Sequence, residues 1–138
     1  MQTTERRVKD GNFWSKLALL VSATSVVVDR PKGSAHPRIP TLIYPLDYGY
    51  LSGTRSGDGH GIDVWIGTLK RRVITGVVCT VDLEKRDTEV KILLGCTRAE
   101  QERVLSIHNY GAGHQSAVLV RSQIATPRRR PKASRARA

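Results

Sequence analysis

Asp58 and Asp63 bracket Gly59, His60 and Gly61 in the stretch Ser56 to Trp65, SGDGHGIDVW. Glycine at this density lets the backbone fold back until two carboxylates aim at one point, and two anionic oxygens at one point are what a hard cation requires. Mg²⁺ is the expected ion, with Mn²⁺ as its substitute. Asp82 and Asp87 flank a polar turn, Glu89 shares a strand face with Asp87, and Asp29 ends a β-branched run. Acids gathered at strand ends repel one another unless cations lie between them. Lys32, Arg38, Arg55 and Lys91 offer positive charge and Tyr44, Tyr48 and Tyr50 offer hydroxyls, the complement that phosphate oxygens need. Metal ions beside phosphate clamps belong to phosphoryl chemistry. Each group also has a plain structural reading. Gly-Asp-Gly is a common hairpin turn, Asp82 and Asp87 are good turn formers, and Tyr48 and Tyr50 suit a core. The lone His108 and His114 read as packed or exposed rather than as ligands, and Arg71, Arg72, Lys85 and Arg86 as solvated charges.

The elements that would position these groups follow from periodicity. Phe13, Leu17, Leu20 and Val21, with Trp14 beside them, keep helical spacing after Asn12, which could cap the helix. Ser25 to Val28 is β-branched and reads as a strand that stops at Asp29-Arg30-Pro31-Lys32-Gly33-Ser34. Pro37 and Pro40 keep the next segment extended toward Thr41-Leu42-Ile43. Asp63 opens an alternating strand, Val73 to Val81 and Thr88 to Leu94 form a hairpin about the Asp82 to Asp87 turn, and Ser116 to Arg121 is a last short strand. Thr97-Arg98-Ala99-Glu100 has capping-box spacing and starts a helix that should end near Gly111 or Gly113. Helix, four or five strands, helix, strand is a mainly β, α+β order, and it points to a small barrel rather than a parallel α/β sheet.

At 138 residues the chain suits one domain, expected over residues 12–125 after a loose start at 1–11. Its net charge is +11, but six cations (Arg128, Arg129, Arg130, Lys132, Arg135 and Arg137) fall in residues 126–138, and without them the balance is +5. That basic tail has nothing to bury and is expected to be disordered, touching nucleic acid only weakly. A moderately basic body suits an anionic ligand. Cys79 and Cys96 lie in apolar runs without CxxC spacing, the pattern of buried reduced thiols. No stretch approaches membrane-spanning length, and Leu17 to Val21 is too short for a signal core, so a cytoplasmic location is expected.

The run from Val28 to Cys96 resembles the soluble family I inorganic pyrophosphatases, as a short, divergent member. The resemblance rests on the Pro-Lys-Gly-Ser strand exit, on YPLDYGYL from Tyr44, on the acidic glycine-rich loop and on VDLEKRDTEVK from Val81 to Lys91. It implies a five-stranded barrel of OB-like shape with an N-terminal and a C-terminal helix packed on it. It also implies Mg²⁺-dependent hydrolysis of inorganic pyrophosphate to two phosphates, in a homo-oligomer. By resemblance, Asp58, Asp63 and Asp82 would ligate metal, with either Asp87 or Glu89 as the later ligand. Asp29 would stand for an upstream glutamate, and Arg38 for a phosphate-binding lysine. Tyr48 would organise the site beside Tyr44, with Lys32 and Lys91 as further substrate contacts. The loop keeps the family's outer acids, but its middle acid is His60, which would then be the candidate base. Two rivals stay open: a catalytically silent module that binds phosphate, nucleotide or nucleic acid, and a hydrolase of a nucleotide anhydride.

Overall fold

The apolar spacing after Asn12 produces helix α1 (Phe13–Ser22), whose buried residue is Trp14; Asn12 makes no side-chain cap bond. The computed structural model describes residues 12–111 and 113–122, so the expected loose start at 1–11 and the basic tail at 126–138 lie outside the described residues. Strands β1 (Ser25–Arg30), β2 (Asp47–Ser52), β3 (Asp63–Ile66), β4 (Ile74–Asp82) and β5 (Asp87–Leu94) follow, then helix α2 (Arg98–Tyr110) and strand β6 (Gln115–Arg121). They form one six-stranded sheet in the order β1-β2-β3-β5-β4-β6. β3 and β5 run parallel, and every other neighbouring pair is antiparallel. The class is therefore α+β.

The mainly β, α+β class expected from the sequence is present; the OB-like barrel expected with five strands has six here and is not closed. β1 and β6 are its two ends, and the segment between β1 and β2 contributes only an isolated bridge, Ala35 to Ile43. No described strand remains to join the ends.

Alternation along the central strands, broken only by a bulge between Ile74 and Gly76 in β4, sends successive side chains to opposite faces. Val64, Ile66, Val77, Ile92 and Leu94 pack toward Trp14 and the rest of α1. Leu46, Tyr48, Trp65, Val78 and Leu93 pack toward Val104 and Ile107 of α2. Asp63 is in step with Trp65 and Lys91 with Leu93, so both polar groups emerge on the α2 face. Gly49 keeps β1 and β2 close: a Cβ there would lie 1.8 Å from the Val27 carbonyl oxygen.

The capping box read from Thr97 and Glu100 is present. The Glu100 amide donates to Thr97 Oγ1 at 3.1 Å, and the Thr97 amide donates to Glu100 Oε1 at 2.8 Å. Glu100 Oε2 also accepts from Thr68 Oγ1 at 2.7 Å, which ties the helix start to the loop after β3. Cys96 is fully buried and burial pushes its thiol up to about 12, whereas Cys79 is only partly buried; both are unpaired. Among the described residues no helix is long and apolar enough to cross a membrane.

Candidate functional site

Three neighbouring strands bring Tyr48, Asp63 and Lys91 together. Tyr48 on β2 donates its hydroxyl to Asp63 Oδ2 at 2.7 Å, and Lys91 Nζ on β5 donates to the same oxygen at 2.8 Å and to the Tyr48 hydroxyl at 2.9 Å. The third ammonium proton goes to Glu89 Oε1 at 2.9 Å. Lys91 is only 7% exposed, and burial alone would lower its pKa, but the attraction of the Tyr48 oxygen and of Asp63 overrides burial and raises it. Burial, reinforced by Asp63, raises Tyr48. Lys91 therefore stays charged and Tyr48 stays protonated at neutral pH.

Beside this cluster, a register shift between Val28 and Arg30 bulges β1, and both Asp29 and Arg30 line one cleft of about 450 Å³. The Arg30 guanidinium lies 5.6 Å from the Tyr44 ring centre and 5.7 Å from that of Tyr48, and Nη1 donates to the Tyr44 hydroxyl. His36 stacks nearly parallel to Tyr44 at 6.1 Å. Its Nδ1 accepts the amides of Arg38 and Ile39 at 3.1 and 3.2 Å, so in the neutral ring the proton sits on Nε2. Burial first, then Arg30, Arg38 and Lys85, lowers its pKa and keeps it neutral.

On the opposite side of the cleft, Asp82 closes the hairpin. Its Oδ1 accepts the amides of Glu84 and Lys85, both at 2.9 Å. Burial opposes its ionisation, but these amide bonds outweigh burial and hold its pKa below the ordinary range. Its Oδ2 accepts from Gln115 at 3.4 Å and lies 3.6 Å from His114. Gln115 Oε1 meets His108 Nδ1 at 2.7 Å, and Trp65 Nε1 donates to His108 Nε2 at 3.0 Å. The indole fixes the tautomer: Nε2 must accept, so Nδ1 carries the proton. Burial, against the Gln115 bond, pushes His108 down to about 4. None of Arg30, His36, His108 or Gln115 stands out in the sequence as a site residue.

The cleft lining thus gathers Asp29, Arg38, Tyr44, Tyr48, Asp63, Asp82 and Lys91 from the residues singled out in the sequence. The others lie elsewhere. Asp58 Oδ1 accepts from Ser56 Oγ at 2.5 Å and from the His60 amide at 2.9 Å; Asp58 and His60 are exposed, in the loop before β3. The Ser56 and His60 bonds lower the Asp58 pKa, the signature of a carboxylate that organises its own turn. Asp87 pairs across the hairpin with Asp82 but borders a separate shallow depression beside Leu83 and Arg86. Lys32 is exposed, and its amide donates to Asp47 Oδ1 at 2.8 Å.

These carboxylates do not fit a divalent cation as they stand. Asp63 and Glu89 share the Lys91 ammonium, Asp82 spends one oxygen on two backbone amides, and Asp58 is turned to its own loop. Among the described residues, no three His, Cys, Asp or Glu side chains are placed to hold a metal ion.

No family model matches the sequence, and no curated protein matches it. Solved structures do match. An inorganic pyrophosphatase from Helicobacter pylori superposes with a TM-score of 0.52 at 12% identity, over 70% of this chain and 81% of that one. One from Neisseria gonorrhoeae gives a TM-score of 0.52 at 19% identity, over 66% of this chain and 77% of that one. At these identities the likeness is one of fold, and this chain has the fold of the inorganic pyrophosphatases it resembles.

Proposed function

We propose that the cleft binds phosphate-type anions, with inorganic phosphate and pyrophosphate as the simplest members of the class. The observation that carries this is Arg30. Its guanidinium is braced between two tyrosine rings at the cleft wall and spends one donor on Tyr44, which leaves N–H groups for phosphate oxygens. His36 Nε2–H, Arg38 and Lys85 line the same cleft and add donors and positive charge. Lys91 acts differently. Its protons are taken by Tyr48, Asp63 and Glu89, so it holds those two carboxylates in check rather than reaching the ligand.

Mg²⁺-dependent hydrolysis of pyrophosphate is a second reading, favoured by Asp29, Asp63 and Asp82 lining one cleft in a pyrophosphatase-like fold; it requires Asp63 to exchange the Lys91 ammonium for the ion. His60, the candidate base, is exposed in its loop and is not part of the cleft lining. Calorimetric titration with pyrophosphate, with and without Mg²⁺, alongside phosphate release, tests both readings. Binding that needs no metal and falls about tenfold or more in Arg30→Met supports the proposal. Absence of any pyrophosphate binding overturns it. Phosphate release that depends on Mg²⁺ and is lost in Asp63→Asn would establish the second reading.

A further inference from the structure

On the reading that the cleft binds phosphate, we infer that its natural occupant is an organic diphosphate with a flat group of nucleoside size, a nucleoside diphosphate, rather than the bare inorganic anion. The cleft of about 450 Å³ falls among sites that enclose an organic ligand, roughly 300–1,000 Å³. Two linked phosphoryl groups leave much of it empty. Its walls are also of two kinds. Arg30, Tyr48, Asp63 and Lys91 form the polar end over β1, β2, β3 and β5. Ile39, Leu42 and Ile107 supply an aliphatic wall. Leu42 and Ile107 meet at the C-terminal end of α2, where a Cβ on Gly111 would lie 2.9 Å from Leu42 Cδ1 and 3.3 Å from Ile107 Cγ1.

The helix end decides the orientation. The partial negative charge at a helix C-terminus disfavours phosphate, so the anion belongs at Arg30 and the uncharged part of the ligand at Leu42 and Ile107. All three aliphatic residues are half-buried, with surface left to cover. His36, also half-buried and lying parallel to Tyr44, presents a flat ring in the same cleft, a surface on which a planar base can stack. An inorganic anion can take the His36 Nε2 hydrogen but leaves the ring face and the aliphatic wall uncovered.

Calorimetric titration of the full chain with ADP, methyl diphosphate, pyrophosphate and adenosine tests this. ADP and methyl diphosphate carry the same charged group, so their difference isolates the nucleoside. ADP should bind about tenfold or more tighter than methyl diphosphate, the gain expected from covering apolar surface. Leu42→Ser and Ile107→Ser should each erase most of that difference and leave pyrophosphate affinity unchanged. Wild-type protein alone is decisive if a variant fails to fold. Equal affinity for ADP and methyl diphosphate overturns the inference while leaving phosphate binding intact. Absence of binding by all the phosphorylated compounds overturns both.

Discussion

Replacing Lys91 by methionine removes the one positive charge that Asp63 and Glu89 share, and keeps most of the side-chain volume. Nζ lies 2.8 Å from Asp63 and 2.9 Å from Glu89, and the Glu89 side chain is only 9% exposed. Breaking a buried ion pair by deleting one partner typically costs about 3–5 kcal/mol, because the remaining charge is stranded. Asp63 retains 30% exposure and can recover part of its hydration, and Glu89 keeps the Lys85 ammonium at 3.7 Å, so the expected loss is near the lower end, about 3 kcal/mol. For a domain of this size that lowers Tm by roughly 10 °C. Urea unfolding at pH 7.5 followed by tryptophan emission measures it. The penalty arises from uncompensated negative charge, so acid that protonates carboxylates should narrow the gap between variant and parent. Lys91→Met unfolding at the parent's midpoint, or above it, would refute the view that the ammonium holds these carboxylates together.

His108 sets an acid limb of stability. Its folded value of about 4 lies below the unfolded value of about 6.5, so its contribution is complete above the unfolded value and lost as pH falls toward the folded one. The loss should reach roughly 3 kcal/mol across that window, and His108→Gln should remove this limb in urea melts taken between pH 7.5 and 4.5. Asp58→Asn and His60→Ala should leave pyrophosphate affinity within about twofold of the parent by calorimetry, since neither side chain lines the cleft; a larger loss would place their loop at the ligand. Gly49→Ala should prevent folding, read as loss of the circular-dichroism transition, because the new Cβ meets the Val27 carbonyl oxygen at 1.8 Å.

Local chemistry made much of the frame readable. The β4 to β5 turn announces itself through Asp82 to Asp87, and the Thr97 to Glu100 spacing specifies the start of α2, because in both the partner groups lie within a few residues. Asp63 and Tyr48 are legible as site candidates, since strand alternation fixes the face from which each emerges. Asp58 reads the same way from spacing but serves its own loop, a choice set by Ser56 Oγ and the His60 amide that composition does not reveal. Arg30 is hidden by the bulge in β1, which puts two consecutive residues on one cleft where alternation would separate them. His108 and Gln115 acquire meaning only when α2 and β6 pack around Trp65, and no short-range pattern encodes that meeting.

The parallel pairing of β3 with β5 also governs when the cleft can exist during folding. β4 and β5 are joined by a tight turn and can zip together locally, but Val64 finds Ile92 only after that hairpin has folded back to lay β5 beside β3, with β4 on the outer side of β5. Closing so long a loop is slow compared with hairpin formation. Asp63 and Lys91 sit just outside that late junction, so their ion pair is among the last contacts made. In refolding, circular dichroism should recover before ligand binding, and the interval between them times the docking of β3 onto β5.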